Sequence, residues 1–285
     1  MKRLATALVI TLCTASTANA ATIVGVDENN NLVTFDSSTP ESFDSSTRIS
    51  GTTATFLALD FRDSDGLLYG LADDLRVYTI NMMSGLATAV TDVLNITGSN
   101  FGFDFNTVVD AIRVVSNDDS NYVVNPEAGT ASQFTDVAYG AGDPNFGTDP
   151  QVTGNAYLHG TTQQFAIGTN TDSLVMQANN AGTLTTVGSL GREVGPRVGF
   201  DIDFDGTAYL SDVSTFHTVD LSTGTATLIG TLERPVFGIA VAPAMGAVPE
   251  PAAWMMMILG FGFVGAAVRG QKRRSVQSKV AYDFA

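Results

Sequence analysis

A two-strand phrase that recurs along the chain restricts its fold more than any other feature. Each copy holds an alternating apolar strand, a polar turn, a glycine and then a Thr/Ser-rich strand. The copies are Val77-Tyr78-Thr79-Ile80-Asn81 before Gly85, Tyr122-Val123-Val124-Asn125 before Gly129, Leu174-Val175-Met176 before Gly182, and Thr218-Val219-Asp220 before Gly224. A degenerate copy, Leu32-Val33-Thr34-Phe35-Asp36, precedes Ser37 to Pro40. The glycines are 44, 53 and 42 residues apart, a spacing that suits one four-stranded unit per repeat.

Two further short strands precede the phrase. One set comprises Ile23 to Val26, Leu68 to Leu71, Ile112 to Val115, Phe165 to Gly168 and Ala208 to Ser211. The leading set comprises Phe56 to Phe61, Phe101 to Phe105, Val152 to Leu158 and Val198 to Ile202. The first repeat lacks its leading strand, and the equivalent Phe237-Gly238-Ile239-Ala240-Val241 follows the last one. That offset predicts an all-β propeller of about five four-stranded blades, closed by pairing the N- and C-terminal strands of residues 21–247. Ring closure leaves no long sheet edge open to aggregation. A β-sandwich would have similar strand content but would not require the recurring phrase. Phe101-Gly102-Phe103 and Phe237-Gly238-Ile239 suit inner strands, where glycine permits close packing.

Residues 1–20 have the layout of a secretory signal peptide. Lys2 and Arg3 are followed by apolar Leu4 to Leu12, and then by Ala18-Asn19-Ala20. Signal peptidase would cut after Ala20 and leave Ala21 first. Cys13 raises lipidation as an alternative, but bulky Leu12 stands where a lipoprotein box needs a small residue. With Cys13 removed no cysteine remains, which excludes a disulfide framework or a thiolate metal site. Residues 21–247 then hold 27 acidic side chains against seven arginines and no lysine. Such a surface repels nucleic acid and anionic lipid.

At the other end, Pro249-Glu250-Pro251 precedes Trp254 and an uncharged stretch, and Arg269, Lys272, Arg273 and Arg274 follow. Residues 252–268 are just long enough for a membrane span. The basic cluster predicts that residues 275–285 are a cytoplasmic tail and that the large domain lies outside. This ending, residues 248–274, resembles the PEP-CTERM sorting signal of Gram-negative bacteria. The resemblance implies processing by an exosortase, in organisms that make exopolysaccharide, and so suggests exopolysaccharide or other envelope components as partners. The tail beyond the basic cluster is longer than in many such signals. The central domain is similar to a family of unknown function often joined to such tails. The stretches that carry this likeness are Leu67 to Leu71, Val77 to Gly85, Gly142 to Asn145, Ala181 to Leu184 and Val198 to Ile202. It implies no activity.

Asp201-x-Asp203-x-Asp205-Gly206, with Asp212 at the twelfth place, has the spacing of a calcium loop. Asp60, Asp63 and Asp65-Gly66 echo it in part. The repeat offers a competing reading, a strand through Asp201 and Asp203 that turns at Asp205-Gly206. No helical flanks are evident, and Asp212 stands where a bidentate Glu is usual. For catalysis the chain offers two imidazoles: His217, expected to face solvent, and His159, in an expected turn before Gly160. Neither lies in a recognisable nucleophile motif. The sequence therefore favours a non-catalytic surface or matrix protein. A secreted polysaccharide hydrolase or lyase and a calcium-stabilised adhesion module are the alternatives.

Overall fold

The computed structural model describes residues 20–243, and every element in them but one short 3-10 turn is a β-strand. The strands form five sheets arranged as propeller blades. β1 (Thr22–Asp27), β2 (Asn31–Asp36) and β3 (Ser45–Arg48) belong to the first blade; β4 (Phe56–Phe61), β5 (Leu68–Ala72), β6 (Val77–Ile80) and β7 (Ala87–Ala89) form the second. β8 (Phe101–Asn106), β9 (Ala111–Ser116), β10 (Asn121–Asn125) and β11 (Thr130–Gln133) form the third. The fourth consists of β12 (Ala138–Tyr139), β13 (Val152–Tyr157), β14 (Gln164–Gly168), β15 (Ser173–Gln177) and β16 (Thr183–Ser189). β17 (Val198–Ile202), β18 (Ala208–Asp212), β19 (Thr215–Val219) and β20 (Ala226–Thr231) form the fifth. The last strand, β21 (Val236–Val241), returns to the first blade and pairs antiparallel with β1, setting Ile23 opposite Val241 and Gly25 opposite Ile239. The expected closure by the two ends of the domain is therefore present. The signal-peptide residues Ala18 and Lys2, residues 252–268 and the sorting residues Pro249 to Arg274 lie outside the described residues. Among the described residues no helix is long and apolar enough to cross a membrane.

The recurring phrase has a local cause. Asn81 Oδ1 accepts the N–H groups of Met83 and Ser84, Asn125 Oδ1 those of Glu127 and Ala128, and Asp220 Oδ1 that of Ser222. These short side chains mimic a backbone turn. The glycines that follow, Gly85, Gly129, Gly182 and Gly224, have φ of 69°, 63°, 67° and 81°, left-handed values that a Cβ disfavours. The 53-residue interval also has a cause. Blade four carries an insertion whose strand β12 runs parallel to β16 on the outer edge, pairing Ala138 with Thr183 and Tyr139 with Leu184. Two residues of strand within a Gly- and Asp-rich stretch give no periodicity, and the sequence did not anticipate β12.

β21, β4, β8, β13 and β17 ring the axis, each packed against the next. At one level this ring holds small residues: Ala58, Gly102, Gly154, Gly199 and Gly238. Each blade's small residue lets the next blade approach. A Cβ on Gly154 would press on Phe200, and one on Gly199 would lie 2.5 Å from both Phe237 O and Ser211 Oγ. Because Phe237 O is backbone, it cannot yield as a side chain could. Gly199→Ala is therefore expected to cost about 1–3 kcal/mol, which thermal unfolding reads as a drop in Tm of roughly 5 °C.

Candidate functional site: an axial carboxylate well

The inner strands of a propeller expose one unpaired edge to the axis, and their N–H groups need acceptors. Here three aspartates supply them. Asp60 Oδ1 accepts Phe61 N–H at 2.7 Å and its Oδ2 accepts Phe105 N–H of the next blade at 2.7 Å. Asp104 Oδ2 accepts Tyr157 N–H at 2.9 Å, again one blade on. Asp201 Oδ1 and Oδ2 accept Ile202 N–H at 2.7 Å and Val241 N–H at 2.6 Å. Five equivalent N–H groups, one per blade, are thus satisfied by three carboxylates. Ala156 and Ala240 occupy the same strand position in the remaining two blades.

The three carboxylates are buried, and one oxygen from each lies within 4.8 Å of the others. They line a well of about 60 Å³ whose lining residues include no lysine or arginine. Burial first, then the neighbouring carboxylates, pushes Asp104 well above the usual carboxylate range. Asp60 is raised well above that range for the same two reasons. Burial raises Asp201 to about 7, against the lowering effect of its two backbone donors. Three carboxyl groups so placed cannot all be charged without compensation, so they must share protons or a cation.

The mouth of the well is built by turns. His159 Nε2 lies 2.6 Å from Asp63 Oδ2, joining the turns of the fourth and second blades, which are not neighbours in the ring. Its ring packs on Phe204 of the fifth blade with centroids 3.9 Å apart. Thr107 Oγ1 accepts Gly160 N–H at 3.1 Å. Val241, Ala242 and Pro243 also line the well.

The structure does not bring the four residues of the calcium-loop spacing together. Asp201 turns into the axis. Asp203 accepts Phe204 N–H, and Asp205 Oδ1 accepts Thr207 N–H at 2.9 Å, closing a tight turn in which Gly206 has φ of 89°. Asp212 is paired across the sheet with Val198, at the far end of the hairpin, and receives Arg192 Nη2 at 2.8 Å and Gly195 N–H at 3.0 Å. The spacing reflects strand plus hairpin turn. Of the partial echo, Asp60 joins the axis and Asp63 the mouth, while Asp65 caps its own turn through Leu67 N–H at 2.9 Å. His217, expected to face solvent, is 3% exposed, with Arg192 hydrogen-bonded to its ring. Burial and that guanidinium hold its pKa below the ordinary histidine value. Asp104 was not singled out from the sequence. Its signal was a small residue, a large apolar residue, Asp and another apolar residue, repeated at 58–61, 102–105 and 199–202.

Residues 247–274 match the PEP-CTERM protein-sorting motif, which implies export and handling by an exosortase. A protein of unknown function from Bacteroides thetaiotaomicron superposes with a TM-score of 0.51 at 13% identity, covering 80% of this chain and 66% of that one. A chain from a nidogen/laminin complex gives 0.52 at 12% identity, with 78% of this chain and 98% of that one covered. At such identities these likenesses show the fold alone. No curated protein matches the chain. Residues 31–240 match a domain of unknown function, DUF4394, over most of the sequence, and the chain belongs to that family.

Proposed function

We propose that this is an exported, exosortase-sorted propeller of the cell surface or extracellular matrix, non-catalytic, whose axial well holds one divalent cation. The observation that carries the reading is the cluster of Asp60, Asp104 and Asp201, three buried carboxylates with no lysine or arginine among the residues that line their well. Hard oxygen donors suit calcium, and the well has room for the ion's remaining water ligands. The sorting motif supports the address, and the acidic, lysine-free domain supports a soluble surface module.

The enzymatic alternative needs acidic and imidazole groups that converge where a saccharide can enter. Convergence exists in Asp63, Asp203 and His159 at the mouth. Room does not: the well's roughly 60 Å³ falls far below the ~300–1,000 Å³ of small-molecule sites. The test of the address is intact mass measured on fractions of the native cell. The expected result is an extracytoplasmic species that starts at Ala21 and ends near Pro249. Full-length polypeptide in the cytosol would refute it. A deletion strain with normal biofilm and secreted matrix would refute the matrix role.

A further inference from the structure

Beyond the aspartate layer, toward the opposite mouth, one blade departs from the other four. The residues flanking the small axial position are apolar in four inner strands: Leu57 and Leu59, Phe101 and Phe103, Val198 and Phe200, Phe237 and Ile239. In β13 they are Thr153 and Asn155. These two side chains are 2% and 1% exposed. Thr153 Oγ1, Asn155 Oδ1 and Asn155 Nδ2 have no hydrogen-bond partner in the protein. Buried polar atoms of this kind carry a desolvation penalty unless something bonds them.

Both residues line a void of about 10 Å³ at the level of the small residues. It adjoins a second void of about 10 Å³ that reaches Asn100 and Arg197, and Phe101, Thr153 and Val198 line both. Neither void shares a lining residue with the aspartate well. Gly102 provides the space, since a Cβ there would collide with the Asn155 carboxamide and backbone N.

We propose that Thr153 and Asn155 form a water-binding subsite in the axis, separate from the carboxylate well and entered from the mouth at Arg197. A void of this size accepts one water. That water can donate to Asn155 Oδ1 and Thr153 Oγ1 and accept from Asn155 Nδ2, matching all three unpaired atoms. The apolar residues of the other blades show that the propeller packs without polar groups at this level, so the pair in β13 marks a ligand-bearing position.

The test is a crystal structure of the mature protein, at a resolution that shows ordered water, beside one of the Thr153→Val/Asn155→Leu variant. The expected wild-type density is one water within hydrogen-bond reach of Thr153 Oγ1 and the Asn155 amide. It should vanish in the variant, with Tm unchanged or raised, because both polar partners leave together. A dry wild-type void, with the Asn155 amide bonded directly to protein groups, would overturn the proposal from the first crystal alone. Loss of calcium affinity in a folded variant would overturn the claim that the subsite is separate from the well.

Discussion

In chelator, the melting temperature of the mature protein should fall between pH 5 and pH 8 by roughly 10 °C, and calcium should remove most of that fall. The folded pKa of Asp201 is raised from 3.8 to about 7, and those of Asp60 and Asp104 are also raised well above the ordinary range. A raised carboxyl pKa means that the native state holds the proton more tightly than the unfolded chain. Its contribution to stability is complete below the unfolded value and disappears as pH climbs through the folded one. Between pH 5 and the folded value of about 7 lie roughly two pK units, so at about 1.36 kcal/mol each Asp201 alone contributes on the order of 3 kcal/mol across that window. For a domain of this size that is about 8 °C, and Asp60 and Asp104 add to it. Asp119, raised to about 6 chiefly by burial, adds to the fall, and His217, held below its ordinary value, opposes it within the window, whereas Asp110 and Asp143 are lowered and titrate below it. Calcium would take the place of the shared protons and stabilise only the native state. A flat profile in chelator would refute the assignment of the raised groups. An unchanged profile with calcium would refute the cation.

Asp60→Ala should be among the most damaging single substitutions in the propeller. It strips acceptors from Phe61 N–H and Phe105 N–H, two buried donors on adjacent blades. Each orphaned donor costs about 1–3 kcal/mol, so a loss of about 4 kcal/mol, or about 10 °C in Tm, is expected at pH 5. Asp201→Ala, which also frees two donors, should match it, whereas Asp104→Ala frees only Tyr157 N–H and should cost about half as much. Thermal melts of the three variants at pH 5 check the ranking. If Asp104→Ala were the worst of the three, the carboxylates would not serve chiefly as acceptors for the inner strand edges.

Most of the fold was legible because a propeller writes its geometry into a period. The turn glycines, the Asx turns before them and the displaced strand at Val236 to Val241 are local requirements, and each leaves a residue type at a fixed offset. The site was less legible. Asp201 lies in a spacing that reads as a calcium loop, yet its carboxylate joins Asp60 and Asp104 from sequence distances of 141 and 97 residues. Only the ring brings them together, so spacing along one segment pointed to Asp203, Asp205 and Asp212 instead. His217 misled for a related reason: strand alternation gives two faces, and in a propeller both faces of a blade are covered by neighbours. The insertion around β12 obeys no period and left no pattern to read.

Titration calorimetry of the chelator-stripped mature protein with calcium, beside its Asp104→Asn variant, tests the axial cation most directly. Asn keeps an acceptor for Tyr157 N–H while removing a charge from the well. The account predicts one calcium per wild-type chain, with a Kd of about 10⁻⁴–10⁻³ M as in extracellular calcium modules, and at least a tenfold loss of affinity in the variant. No binding at millimolar calcium, or equal binding by both proteins, would contradict it.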